Sequence, residues 1–283
     1  MADERKSSPT PVETVGDAPF IYKPGMWEVL VPMAFTACFA WVVWNGPAFL
    51  MSFREAGPAV DALARRYDPI SAFDWIAVAG SILFFILGIK TVRRAPSEWE
   101  DWGLFDRISV FIGRITMLLI VVLVTVMVYE VVLRYVFERP TLWANEMSLW
   151  LAGFIFMLAG LYSMQQRSHI RIFLLYDVMP RWMQRACDTI STALIVIFAF
   201  ALVYGGFGEA RDKLLRWETF GTAFDPPIPA TLKPMLLFIV VLVAVQAIAN
   251  LIRDWNIVPV VHTAADDIDQ DELERLRRSV AED

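Results

Sequence analysis

Charged and amphipathic side chains cluster in the stretch YEVVLRYVFERPTLWANEMSLW, residues 129–150, which lies between two almost purely apolar runs. Glu130 and Arg134 are four residues apart, so a helix would place them on one face and close enough to pair. A pair of this kind lowers the cost of holding two charges near lipid. Rings of the type found at membrane interfaces follow at Tyr135, Trp143 and Trp150. The residues alone therefore favour a tight hairpin with charged ends at the membrane surface over a partner-binding site.

A second charged stretch, QQRSHIRIFLLYDVMPRW, occupies residues 165–182. Its apolar run, residues 172–176, is too short to cross a bilayer, so we predict a short interfacial helix. His169 and Arg171 precede that run, at the expected depth of the lipid headgroups. The residues favour a polar headgroup contact for His169, and the alternatives are a hydrogen bond to a partner helix or a titrating role.

The sequence lacks most of the residues that metal binding, phosphate binding and nucleophilic catalysis require. The only other histidine, His262, lies near the carboxy terminus, which argues against a histidine-ligated metal or haem site. Cys38 and Cys187 are expected to be packing residues. The sequence contains no glycine-rich phosphate loop and no nucleophile constellation. We therefore predict no cofactor, no enzymatic activity and no nucleic-acid partner.

The composition indicates where these residues must lie. Of the 283 residues, 57% are hydrophobic, and the mean hydropathy of +0.50 is too high for an ordinary soluble domain. A bilayer core about 30 Å thick requires roughly 17 to 25 largely uncharged residues for each helical crossing. The chain is therefore expected to be an all-α membrane protein with several crossings.

Six segments are candidate crossings. The predicted spans cover residues 29–53, 71–89, 108–133, 147–164, 189–208 and 234–252. Pro32 and Pro47 indicate irregular ends for the first span. The second span is the weakest, because it is short and carries Asp74 near its start, where the carboxylate is expected to reach the headgroups. Gln246 and Asn250 lie four apart in the last span, where bonds across helices would hold a bundle together.

The distribution of basic residues predicts an orientation. The short connections on the side of the amino terminus hold somewhat more Lys and Arg than those on the opposite side. The positive-inside rule then predicts that both termini are cytoplasmic. The first 25 residues have no apolar core of the kind that a secretory signal requires, so the first span is expected to be retained.

The motif RYVFERPTLWANE (residues 134–146), followed after one span by SHIRI (residues 168–172), resembles the small membrane subunit of tripartite ATP-independent periplasmic (TRAP) transporters, the DctQ family. The shared features are an Arg-Tyr-x-Phe helix end, a Pro, a Trp, an acidic residue that opens the next helix, and a His-Ile-Arg after it. The resemblance covers roughly residues 105–253. Phe173 stands where family members often have an acidic residue, so no role of that carboxylate is carried over.

This resemblance implies a fold, a role for the small subunit and two protein partners. The fold would be a four-helix DctQ-like bundle with two additional amino-terminal transmembrane helices and an interfacial helix. Such a small subunit braces a large multi-span permease subunit, which moves substrate and sodium ions, and helps to dock a periplasmic substrate-binding protein. The implied substrates are organic acids, and the implied location is the bacterial inner membrane. The residues implied in partner contact or in the scaffold are Glu130, Arg134, Tyr135, Trp143, Glu146, His169 and Arg171.

The sequence divides into four segments, and two other functions remain possible for it. The segments are a polar tail at 1–28, an extension with two spans at 29–104, the four-helix domain at 105–253 and an acidic cytoplasmic tail at 254–283. One alternative function is a self-sufficient small transporter or channel, which would need polar residues along a path. The other is a membrane anchor for a respiratory enzyme. The sequence does not decide whether the two extra spans pack on the four-helix unit or contact another protein.

Overall fold

The computed structural model describes residues 25–55, 57–93, 95, 103–166 and 179–256. These residues form eight α-helices and no strand. The helices are α1 (Met26–Trp44), α2 (Gly46–Ser52), α3 (Pro58–Ala64), α4 (Ala72–Thr91), α5 (Leu104–Tyr135), α6 (Ala144–Gln165), α7 (Arg181–Arg216) and α8 (Ile228–Asp254). All except α2 and α3 are long and apolar enough to cross a membrane. The prediction of an all-α membrane protein is therefore confirmed.

The first predicted span is divided in the structure. A single span over residues 29–53 is wrong, because α1 ends at Trp44 and a separate short helix, α2, follows it. Asn45 leaves the helical conformation between them, with φ −92° and ψ 19°. Pro47 lies in the first turn of α2, where its missing N–H is harmless, but it could not have continued the hydrogen-bond ladder of α1. We call the side on which α1 ends the outer side, and α2 and α3 the outer cap.

The second predicted span, α4, is a regular helix rather than a marginal one, and its hydropathy exceeds that of α1 and α6. The expectation that Asp74 reaches the headgroups is wrong, because this residue is only 4% exposed. Its Oδ1 accepts a hydrogen bond from Trp41 Nε1 at 2.9 Å, and its Oδ2 accepts one from the Ser71 backbone N–H at 2.7 Å. The carboxylate therefore caps the start of α4 and joins this helix to α1.

The long helices pack in sequence across the bundle. Helix α7 packs on α8, α8 on α6, and α6 on α5, while α1 and α4 pair with each other and contact α5. The buried side chains of Ile112, Leu158, Leu161 and Ile239 fill the space between α5, α6 and α8. Helix α7 packs mainly on α8, so most of its apolar stretch remains exposed.

Aromatic rings join the amino-terminal extension to the rest of the bundle. Phe111 on α5 is 1% exposed, and its ring centroid lies 5.6 Å from that of Phe35 on α1 and 5.9 Å from that of Phe85 on α4. Gly88 on α4 leaves room for this ring, since a Cβ there would lie 2.2 Å from Phe111. The two extra long helices therefore pack on α5, which answers the question that the sequence left open.

Candidate partner-contact site

Glu130, near the outer end of α5, is the centre of the candidate site and is only 4% exposed. Its Oε1 accepts hydrogen bonds from Nη2 and Nε of Arg134, at 2.6 and 3.1 Å. Its Oε2 accepts one from the Thr141 backbone N–H at 3.1 Å and another from the Thr141 hydroxyl. The predicted pairing of Glu130 with Arg134 is confirmed, and the same carboxylate ties α5 to the residues that precede α6.

Arg134 and Tyr135 are two of the exposed side chains of the hairpin that the end of α5 and the start of α6 form. The Arg134 side chain is 49% exposed, so the guanidinium keeps donors on the edge away from Glu130. Tyr135 is 76% exposed. Trp143, in contrast, is partly buried, with its ring centroid 6.0 Å from that of Tyr129. Trp143 therefore packs on the end of α5, whereas Arg134 and Tyr135 present polar and aromatic surface.

Two residues of α6 bond to parts of the chain that follow α7. Glu146 bonds to the segment between α7 and α8, and Trp150 bonds to α8. Trp150 is 7% exposed, so the prediction that its ring lies at the lipid interface is wrong. The ring is held inside because Nε1 donates to the Thr231 hydroxyl at 2.8 Å. Glu146 Oε2 accepts a hydrogen bond from the Thr222 hydroxyl at 2.6 Å. Glu146 therefore binds the α7–α8 connection, whereas Glu130 binds the hairpin.

The outer cap covers the start of the α7–α8 connection. Trp217 has a left-handed backbone, with φ 49°, and its buried ring clusters with Leu63 of α3. Gly46 provides the space for this ring, since a Cβ there would lie 2.1 Å from it. Arg54 Nη1 donates to the Leu215 carbonyl at 3.1 Å. The extension therefore fixes the outer end of α7.

Tyr67, which follows the outer cap, packs against the same cluster. Burial raises the pKa of its phenol above the ordinary value, although the nearby Arg66 guanidinium acts in the opposite direction. The phenol is therefore neutral at physiological pH and serves this surface as a packing group rather than as a charge.

A second polar group, which we call the inner cluster, lies at the opposite end of the bundle. Asp106 is fully buried, pairs with Arg253, and accepts a hydrogen bond from Gln246 Nε2 at 2.9 Å. The same amide nitrogen donates to Asn250 Oδ1 at 3.0 Å, and Asn250 Nδ2 donates to the Met164 carbonyl at 2.8 Å. These bonds join α5, α6 and α8, so the predicted cross-helix role of Gln246 and Asn250 is confirmed.

Asp106 was not among the residues that the sequence predicted to join helices. A local signal was available, because Asp106 is the third residue of α5 and accepts the Gly103 N–H at 2.6 Å, as a capping acid does. No local signal pointed to its partner Arg253, which is 147 residues away. Thr141 and Thr222 were also missed, since threonines at turns are common and their acceptors are set by the tertiary fold.

His169 and Arg171 lie outside the described residues. Within the ranges that the structure describes, no group of three or more His, Cys, Asp or Glu side chains could hold a metal ion. A cavity of about 40 Å³ lies beside Ser109 and Gln246. This volume suits a water molecule and is too small for an organic solute. At the outer and the inner end of the bundle, the polar side chains described above bond to other helices and to the connections between helices.

Comparison with known protein families adds a separate finding. Residues 123–256 match the family described as tripartite ATP-independent periplasmic transporters, DctQ component. The matched stretch is similar to the DctQ component and makes up slightly less than half of the chain. No curated protein and no solved structure matched the sequence.

The DctQ match begins within α5 and ends just after α8. It contains the Glu130 hairpin, α6 and the α7–α8 connection, whereas Asp106 and helices α1–α4 precede it. DctQ proteins are components of transporters and not a family of enzymes, and in general they work with a large TRAP permease and a periplasmic binding protein. Residues 123–256 therefore resemble a small TRAP transporter subunit, and helices α1–α4 precede the matched stretch.

Proposed function

We propose that this protein belongs to the DctQ family and is the small permease subunit of a sodium-coupled TRAP transporter for organic acids. In this proposal it braces the large permease subunit in the bacterial inner membrane and helps to dock the periplasmic binding protein. Both termini are cytoplasmic, so the outer side is periplasmic. The family match over residues 123–256 is the observation that carries the proposal.

Fixed contacts at both ends of the bundle support the bracing role. On the outer side, the Glu130 carboxylate ties α5 to the start of α6. On the inner side, the inner cluster ties α5 to α6 and α8. Polar groups that are buried and bonded to one another hold helices in one arrangement. A subunit whose helices are fixed in one arrangement is suited to support a larger subunit that moves during transport.

Mixed polar and aromatic surface on the outer side supports the docking role. Arg134 and Tyr135 are exposed there, and Glu146 lies against the exposed Thr222. Arginine and tyrosine are enriched in protein interfaces, and charges at an interface steer and orient a soluble partner. Glu130 is buried, so its proposed role is to position Arg134. On the inner side, the proposed anchoring role of His169 and Arg171 rests on the sequence motif alone.

Replacing Arg134 or Glu146 with Ala should test the assignment of the hairpin to partner contact. Each substitution is expected to lower either the amount of co-purified large subunit or the rate of sodium-driven uptake by about tenfold, as loss of one charged contact would do. Uptake is measured in proteoliposomes that contain both membrane subunits, with the binding protein added.

Arg211→Ala is the matched control, because Arg211 is an exposed outer-side arginine that pairs with its neighbour Asp212. This variant should behave like the unmodified protein. Unchanged co-purification and uptake in both Arg134→Ala and Glu146→Ala would contradict the contact assignment. Uptake that persists without a sodium gradient would contradict the proposed coupling.

A further inference from the structure

The α7–α8 connection, residues 217–227, is a compact loop with a fixed shape. Its two ends lie close together, because the Ala230 N–H at the start of α8 donates to the Glu218 carbonyl at 3.3 Å. Within the loop, the Phe220 N–H donates to the Pro226 carbonyl at 3.0 Å. Compact loops whose ends meet and which pack on themselves are frequently functional.

The backbone of this connection passes through left-handed conformations at three positions. Trp217, Gly221 and Asp225 have φ values of 49°, 81° and 56°. Glycine adopts such a φ without cost, and the Gly221 N–H also donates to Asp225 Oδ1 at 2.6 Å. A bulky residue such as Trp217 rarely adopts it, and does so only where the surrounding structure holds it.

The amino-terminal extension supplies contacts that hold both ends of the connection. At the first end, the Trp217 ring fills the space that Gly46 leaves and packs on Leu63 of the outer cap. Near the second end, the Phe224 ring centroid lies 6.0 Å from that of Trp44. The three extension residues all precede the stretch that matches the DctQ family. The connection therefore lies within the matched stretch but is positioned by the extension.

The connection begins on the water side of the lipid headgroups. Beyond its uncharged stretch, residues 189–208, α7 continues to Arg216, which adds about 12 Å of helix. The headgroup layer on one side of a bilayer is only about 5 to 8 Å thick. The tip of the connection, residues 220–223, is exposed, and Phe220 is 43% exposed. Aromatic rings exposed to water are enriched where proteins bind one another.

We propose that the tip of the α7–α8 connection, through Phe220, docks the soluble periplasmic binding protein, and that the amino-terminal extension positions this tip. A loop that is already fixed loses little conformational entropy when a partner binds. The tip is also continuous with the candidate partner-contact site, because Thr222 bonds to Glu146. The inference rests on the proposed function, and it adds a contact residue and a role for the extension.

Affinity of the binding protein for the two membrane subunits, reconstituted together in lipid nanodiscs, tests the docking contact. Phe220→Ala should weaken binding about tenfold, as truncation of an aromatic contact residue commonly does. Phe53→Ala is the matched control, because Phe53 is also an outer-side phenylalanine and is 74% exposed. This control should bind like the unmodified protein. Both rings are exposed, so neither substitution should prevent folding.

Gly46→Ala tests the role of the extension. The new Cβ would lie 2.1 Å from the Trp217 ring, so the ring and the start of the connection would have to move. Binding should weaken severalfold, while recovery of the large subunit stays unchanged. Gly57→Ala is the control, because a Cβ there would meet no atom of the described residues within 4 Å.

The outcomes separate this inference from the proposed function. Unchanged affinity in Phe220→Ala, or loss of the large subunit from that variant, would overturn the docking contact. Unchanged affinity in Gly46→Ala would overturn the positioning role of the extension. If the unmodified chain recovered no large subunit, the proposed function would fail, and this inference would fail with it.

Discussion

Replacing Asp106 with Ala is expected to lower the free energy of unfolding by about 3 kcal/mol, the effect of removing one partner from a buried ion pair. The Arg253 guanidinium would lose its carboxylate, and Gln246 would lose an acceptor. The first turn of α5 would also lose its cap, because Asp106 accepts the Gly103 N–H. Unfolding in mixed micelles with increasing sodium dodecyl sulfate, followed by tryptophan fluorescence, measures this change.

Asp212→Ala is the control for this prediction. It also breaks an ion pair, but the Arg211 and Asp212 side chains are 59% and 50% exposed. Exposed pairs contribute at most about 1 kcal/mol, so this variant should unfold close to the unmodified protein. If Asp106→Ala lowered the free energy of unfolding by less than about 1 kcal/mol, the inner cluster would not be what holds α5 to α8.

Replacing Glu130 with Ala is expected to lower the melting temperature by about 5 °C, a shift typical of losing one well-bonded group. The substitution removes the acceptor of two Arg134 donors and of the Thr141 backbone N–H. Arg134 would then have no fixed position, so co-purification of the large subunit should fall as well. Circular dichroism during heating of the detergent-solubilised protein measures the melting temperature.

The matched control is Glu209→Ala, which removes an outer-side glutamate that pairs with Lys233 across α7 and α8. Its side chain is 62% exposed, so little change is expected. A Glu130→Ala protein that melts together with this control would refute a structural role for the Glu130 carboxylate.

The number and approximate position of the crossings could be predicted from the sequence, because length and hydropathy are local properties. The predicted spans 108–133 and 234–252 lie inside α5 and α8. The helices extend further at both ends, since charged residues such as Arg253 continue a helix beyond the apolar stretch that hydropathy detects. Pro47 indicated an irregular end of the first span, but a separate helix after Asn45 was not predicted, because the residues on both sides of Asn45 are equally apolar.

Pairs within one helix could be predicted for the same reason. Glu130 and Arg134 are four residues apart and bond as expected, and so do Gln246 and Asn250. Helical geometry alone brings such side chains together. The prediction therefore needed no knowledge of how the helices pack.

Contacts between distant parts of the chain could not be predicted, because periodicity carries no information about them. Glu146 bonds with Thr222, 76 residues away, and Gly46 accommodates the Trp217 ring. Trp150 was assigned to the lipid interface because an amphipathic ring looks the same in a sequence whether its N–H faces headgroups or a buried hydroxyl. The packing of the extension on α5 belongs to the same class of contact.

Affinity purification of the full chain from its native membrane in mild detergent tests the central claim most directly. The proposal that this protein acts as a small TRAP subunit predicts that a large multi-span membrane protein is recovered with it in comparable amount. Reconstitution of the purified chain alone should then give no solute uptake. Recovery of a redox subunit with haem instead, or solute uptake by the chain alone, would contradict the claim.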